Sequence, residues 1–159
     1  MNYEPMPGRR LEPEDFDSVV RLTPLVAIDL VVRSPDGRVL VGRRNNEPAK
    51  GWYFVAGGRI TKNETLADAF RRISLAELGV EKRIEEARFL GVYEHFYATN
   101  NQERAGFGTH YVVLAHELTS AIQNLPLPRD QHGEFAWLTE AELLRCPEVH
   151  ANTKAYFKR

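Results

Sequence analysis

The densest set of residues able to do chemistry reads Gly58-x5-Glu64-x7-Arg72 and ends Glu77-Leu78-Gly79-Val80. Helical periodicity puts Leu66, Phe70, Ile73 and Glu77 on one stripe, separated by four, three and four positions. The first three are apolar and are expected to face a core. Glu77 shares their stripe and also falls in the last turn, where the helix macrodipole disfavours negative charge by ~0.3–1 kcal/mol. A carboxylate under both handicaps calls for a compensating partner, and a divalent cation is a natural one. A pairing with Arg71 or Arg72, or simple escape to solvent, fits the same spacing, and spacing alone does not choose. Asp29 poses a similar question, because it interrupts the otherwise apolar run Leu25 to Val32, and a buried aspartate needs a cationic partner.

These groups must be held by elements that the pattern also predicts. Pro13-Glu14-Asp15 opens an amphipathic helix through Leu22, with Phe16, Val19, Val20 and Leu22 as its apolar face. Leu25 to Val32 is a strand, Pro35-Asp36-Gly37 a turn, and Val39 to Val41 the returning arm of a hairpin. A loop over 45–51 leads to a short strand, Trp52 to Val55, after which Gly57-Gly58 is expected to break regular structure. The helix carrying Glu77 runs from about Glu64 to Leu78, with Thr61 and Glu64 as a capping box and Gly79 as a left-handed C-terminal cap. Two strands, Phe89 to Tyr97 and His110 to Leu118, flank a polar loop over 98–108. A turn-prone stretch over 126–133 holds Gln131-His132, followed by a strand over 135–138, a capped helix from Thr139 and a last helical segment over 149–157.

At 159 residues, with 43% hydrophobic and 27% charged side chains, the chain has the size and composition of one ordinary globular domain, 1–159, with 1–22 as an N-terminal segment and helix. Strands mixed with three helices predict a single layered domain, α/β or α+β. The net charge of -1 gives no electrostatic reason to expect a nucleic acid or an anionic membrane as partner, so any phosphate binding must be local. Cys146 is the single cysteine, which excludes an intrachain disulfide. The first residues hold no apolar run of a secretory signal, and the longest apolar stretch is far below the ~20 residues of a membrane helix. A soluble cytoplasmic protein is expected.

Gly58, Glu64, Arg72, Glu77, Gly79 and Val80 match the signature of the Nudix hydrolases, which cleave nucleoside diphosphates linked to another moiety. Ile73 and Ala76 stand where that signature carries glutamates, which leaves one acidic metal ligand from its core. The same departure characterises the GDP-mannose mannosyl hydrolase branch. The chain resembles that branch over the helix 13–22, Thr23 to Val26, Gly57-Gly58-Arg59, Phe70 to Gly79, Tyr93 to Tyr97, Thr109 to Leu114, Asp130-Gln131-His132 and Val149 to Asn152. The resemblance implies an α/β/α sandwich with a mixed sheet and one Mg²⁺ per site, with Mn²⁺ as an alternative. It also implies a homodimer and a GDP-sugar substrate, GDP-mannose or GDP-glucose, hydrolysed at the anomeric carbon with inversion.

By that resemblance Glu77, Gln131 and the Gly57 carbonyl hold the metal, and His132, an imidazole that titrates near neutrality, is the base for the attacking water. Arg44 forks onto the leaving β-phosphate, while Asp29 and Arg59 form a pair that positions the diphosphate. Arg10, Leu11 and Phe16 contact the nucleotide, and His95, Tyr97 and Tyr111 line the substrate pocket, although aromatic strand residues also build cores. Ala56 replaces a proline common among relatives. Without the resemblance Gln131-His132 is a polar loop, Arg44 a solvated strand end and Gly57-Gly58 a tight turn. Two further readings stay open: a conventional diphosphatase releasing a nucleoside monophosphate and a sugar phosphate, and a Nudix domain that binds nucleotide without catalysis.

Overall fold

In the computed structural model, which describes residues 10–119 and 125–158, the chain forms a mixed seven-stranded sheet between helices. Residues 1–9 of the expected N-terminal segment lie outside the described residues. The elements are α1 (Pro13–Leu22), β1 (Leu25–Arg33), β2 (Val39–Arg44), β3 (Tyr53–Phe54), β4 (Ala56–Arg59), α2 (Leu66–Leu78), β5 (Arg88–Tyr97), β6 (Thr109–Thr119), β7 (His132–Leu138), α3 (Glu140–Arg145) and α4 (Ala151–Lys154). Single 3₁₀ turns cover Ile84–Glu86 and Ala155–Phe157.

Strand β1 is the spine. It runs parallel to β6 from Leu25↔Tyr111 to Arg33↔Thr119 and antiparallel to β4 from Ala27↔Arg59 to Leu30↔Ala56. Its hairpin partner β2 touches it only at Arg33↔Val39, then turns away to pair with β3 and β7. The two arms of the hairpin therefore part, and a cleft opens between them.

The period-2 alternation of β1 sorts its side chains onto two faces. Ile28, Leu30 and Val32 join Phe70, Ile73 and Leu78 of α2 in one core cluster. Val31 joins Val39, Val41, Leu143, Val149 and Phe157 in the other, beneath the C-terminal helices. With α2 on one face and α3 and α4 on the other, the fold is the expected α/β/α sandwich.

Local expectations changed in four places. Gly57 and Gly58 do not break regular structure; they are the middle of β4, paired with Asp29 and Ile28. Crowding on both faces explains the glycines: a Cβ on Gly57 would lie 2.3 Å from Asp29 Oδ1, and one on Gly58 would lie 3.0 Å from Ile73. Helix α2 starts at Leu66, with Thr65 as the cap that accepts from Asp68 N (3.1 Å). The Thr61–Glu64 pair exists, but in the turn ahead of the helix, where Glu64 Oε2 accepts from Thr61 N (3.0 Å). Leu66 is 47% exposed although it shares the stripe of Phe70 and Ile73, since stripe angle aims a side chain but nothing covers the first turn. The last helical segment splits into α4 and a 3₁₀ turn. At the other end of α2, Gly79 has φ 73 and closes the helix through its N–H to Leu75 O, as the cap pattern predicts. Among the described residues, no helix is long and apolar enough to cross a membrane.

Candidate active site

The cleft where β1 and β2 part gathers residues from most of the sheet. Asp29 comes from β1, Arg44 from the end of β2, Gly57 and Arg59 from β4, Glu77 from α2, His95 and Tyr97 from β5, Tyr111 from β6, and Gln131 and His132 from the start of β7. His132 belongs to strand β7, not to the preceding loop, and pairs with Arg44 across a register shift between Arg43 and Arg44. Paired across that irregularity, Arg44 and His132 both line the cleft. Gly42 makes room for the ring, since a Cβ there would lie 2.7 Å from His132 Cγ. Asn45 ties down the chain just before His132: its N–H donates to Gln131 O (3.0 Å) and its amide to Arg129 O (3.3 Å).

The neighbours Arg43 and Arg44 have opposite fates. Arg43 donates to Glu134 and Glu148, each at 3.2 Å, and lies over the Tyr53 ring at 4.3 Å. Arg44 forms no ion pair among the described residues, and its Nε is buried without a hydrogen-bond partner. Its charge instead acts through the cleft, pulling down the pKa values of Asp29, Glu77 and His132. Such a guanidinium is ready to fork onto an anion.

Glu77 has neither of the arginine partners its spacing offered. Arg71 pairs with Asp68 (3.0 Å) and Glu81 (3.8 Å), and Arg72 with Glu64 (2.6 Å). The Glu77 side chain is 13% exposed; among the described residues no lysine or arginine pairs with it, and His132 Nδ1 lies 3.8 Å from its Oε2. Burial pushes its carboxyl up to about 7; the Arg44 charge opposes that, while the charges of Asp29 and Asp130 add to it. His132 is 4% exposed. Burial, with the Arg44 charge, lowers it to about 4, so the imidazole is neutral near pH 7, and its Nε2 has no partner among the described residues. His95 is likewise lowered to about 4, by burial and then by His150. Burial raises the hydroxyls of Tyr97 and Tyr111, which stay protonated as donors.

Among the described residues no three His, Cys, Asp or Glu side chains converge as a metal cluster. A sparser oxygen set fits a hard divalent cation here: one buried carboxylate without a hydrogen-bond donor, Glu77, lines the same cleft as the Gln131 amide and Gly57.

One expectation needs correction. Asp29 and Arg59 both line the cleft but form no pair. Asp29 Oδ2 accepts from the Tyr156 hydroxyl at 2.5 Å, whereas the Arg59 guanidinium lies over the Phe16 ring at 4.9 Å. The physical reason is register: Asp29 sits opposite Gly57, and Arg59 is two positions further along β4, opposite Ala27. The polar loop over 98–108 is tied down. Asn100 is fully buried and bridges Arg104 O and Phe107 O at 2.9 Å each, Arg104 pairs with Asp17 (2.7 Å), and Gln102 donates to Pro13 O (3.0 Å). Arg10 and Leu11 do not line the cleft of their own chain, and Phe16 reaches it only through Arg59. Tyr156, Asn45 and Phe54 were not foreseen. An aromatic six residues after His150 carries no local signal of reaching a strand 127 positions away.

The chain is similar to known proteins over most of its length. A family model described as NUDIX domain matches residues 23–159. The low-salt glycan biosynthesis protein Agl8 of Haloferax volcanii is 42% identical over 134 residues, 84% of this chain and 83% of that protein. An RNA pyrophosphohydrolase of Caulobacter vibrioides is 31% identical over 121 residues, 69% of this chain and 67% of that one. Among solved structures, the MutT protein from Methanosarcina mazei Go1 superposes with a TM-score of 0.68 at 17% identity, covering 84% of this chain and 91% of that chain.

Proposed function

The chain belongs to the Nudix family, and from that membership we propose that it hydrolyses a GDP-sugar, GDP-mannose or GDP-glucose, to GDP and free sugar. Water attacks the anomeric carbon and the configuration inverts. One observation carries this reading: a buried, neutral histidine, with Nε2 unpartnered, stands beside an unpaired arginine in a cleft whose signature helix offers one carboxylate. Attack on phosphorus usually draws on more metal charge than Glu77 and neutral oxygens collect. Attack on carbon needs a base and a stabilised leaving group.

His132 is the base. Its Nε2 accepts the proton of the attacking water, and Glu77 Oε2 at 3.8 Å from Nδ1 favours the imidazolium that forms. Arg44 takes the β-phosphate as the glycosidic bond breaks, so GDP departs with its charge met. Tyr97 and Tyr111 keep their protons and offer hydroxyls to the diphosphate or sugar. Glu77, Gln131 and the Gly57 carbonyl would hold one Mg²⁺ or Mn²⁺, which when bound supplies further charge neutralisation for the leaving diphosphate. Arg10 and Leu11 lie outside their own cleft, which suits a homodimer in which they reach the guanine end of the neighbouring site. A relative named for glycan biosynthesis agrees with a nucleotide-sugar substrate.

Incubation of a panel of nucleotide-sugars with Mg²⁺ in ¹⁸O-water tests the proposal. The label is expected in the free sugar, with unlabelled GDP released. Label in a nucleoside monophosphate or a sugar phosphate would mean a diphosphatase, the chemistry named for the Caulobacter relative. No turnover on any nucleotide-sugar would point to a domain that only binds.

A further inference from the structure

The C-terminal 3₁₀ turn packs on the second core cluster and brings Tyr156 to two residues that line the cleft, Asp29 and His95. It is anchored there by Phe157, which is buried against Val31 and Val149, and by backbone bonds joining Tyr53 to Glu148 O (2.9 Å) and His150 to Tyr53 O (3.1 Å). Between these anchors Tyr156 turns its ring edge-on to Tyr93, with centroids 4.7 Å apart. Its hydroxyl donates to Asp29 Oδ2 at 2.5 Å and lies 3.3 Å from His95 Nε2.

A phenol hydroxyl has one proton to give. Here it goes to the nearer acceptor, the carboxylate. The contact with His95 can then be a hydrogen bond only if Nε2 carries a proton and donates to the phenol oxygen. A neutral imidazole protonated at Nε2 is unprotonated at Nδ1. His95 Nδ1 has no partner among the described residues, and the ring borders the cleft.

We infer that Tyr156 is a positioning residue: by donating to Asp29 it holds His95 as the Nε2–H tautomer, so that Nδ1 faces the substrate as an acceptor for a sugar hydroxyl. Burial of His95 keeps the ring neutral near pH 7, where tautomer choice decides whether the cleft presents an acceptor or a donor. The same hydroxyl orients Asp29, whose other oxygen lies against Gly57. Loss of one oxygen atom would therefore leave the packing in place and release both groups. The sugar hydroxyl rests on the GDP-sugar reading above; the tautomer does not.

The test uses ¹⁵N-labelled full-length protein and the Tyr156→Phe variant. Two-bond ¹H–¹⁵N correlation of His95 in the wild type is expected to give the Nε2–H pattern, and in Tyr156→Phe a mixture of tautomers. Turnover of a GDP-sugar should fall about 10- to 100-fold in kcat/KM, as for slight misplacement of a contact group, with GDP affinity within about twofold of wild type. An Nδ1–H pattern in the wild type overturns the inference, and needs no variant to fold. A tautomer unchanged by Tyr156→Phe overturns it, and so does an unchanged kcat/KM. If the tautomer shifts as expected but no sugar is released from any GDP-sugar, the relay stands and the proposed reaction falls.

Discussion

The two ends of α2 each bear on a glutamate, and the two have opposite surroundings. Glu64, in the turn ahead of the helix, is enclosed: its side chain is 7% exposed and it accepts from Arg72 Nε (2.6 Å), Arg72 Nη2 (2.8 Å) and Thr61 N (3.0 Å). The arginine and then the threonine hold its carboxyl down to about 2, against the cost of burial. Glu77, in the last turn, is nearly as enclosed yet has no hydrogen-bond donor among the described residues, and is pushed up to about 7. Both residues belong to the same signature. One carboxylate brings its counter-charge with it and serves as a clamp between loop and helix. The other leaves its counter-charge to be supplied from outside, which is what a ligand site requires.

The largest expected effect lies at the unpaired end. His132→Gln, which removes the imidazole beside Glu77, should lower turnover by ~10²–10⁴-fold with little change in GDP affinity, as for loss of a general base. Steady-state kinetics with GDP inhibition checks this, and unchanged turnover would take His132 out of the mechanism. Glu77→Gln should weaken Mg²⁺ binding by roughly 10–100-fold, read by calorimetric titration. Its metal-free form should melt at or above the wild-type temperature, because a buried carboxylate with a raised pKa works against folding once it ionises. A clear fall in melting temperature with intact Mg²⁺ affinity would erase the contrast between the two ends.

At the paired end the effect should be on stability. Glu64→Gln is expected to cost ~1.5–3 kcal/mol at neutral pH, read by urea unfolding, with Mg²⁺ affinity unchanged. Because the folded-state value lies below the ordinary carboxylate value, that contribution is fully present above about pH 4.5. It fades as pH falls through about 2. Melting curves of wild type and variant should therefore converge on acidification over that interval, and a gap that widens would contradict the clamp. Smallest of all, Leu66→Ser should change stability by no more than about 0.5 kcal/mol, whereas Phe70→Ala should cost ~3–5 kcal/mol. The two residues share one stripe but not one environment.

Much of this was legible in the residues. The strand of Leu25 to Val32, the hairpin after it, the helix ending at Gly79 and the capped helix at Thr139 follow from periodicity and capping. Those rules act over a few residues and need nothing distant. The strand nature of Gly57-Gly58 was hidden because glycine has low strand propensity, and only Asp29 on one face and Ile73 on the other explain it. His132 looked like a loop residue for the same kind of reason: its pairing with Arg44 depends on a register shift that local pattern cannot express. The partner of Asp29 was expected on β4 and came from the C-terminal turn.

By itself the sequence determined the family, the layered fold and the one helical carboxylate left to do chemistry, because each rests on spacing within a single element or on motifs in order. Only the tertiary structure decided which charges meet. It paired Arg72 with Glu64 and left Glu77 with no arginine among the described residues, gave Asp29 to Tyr156 and withheld Arg59, and turned Arg44 into the cleft while Arg43 was neutralised outside it. Counter-charge is a matter of a few ångströms in space, and residues that far apart along the chain come within reach only once the sheet has set its registers.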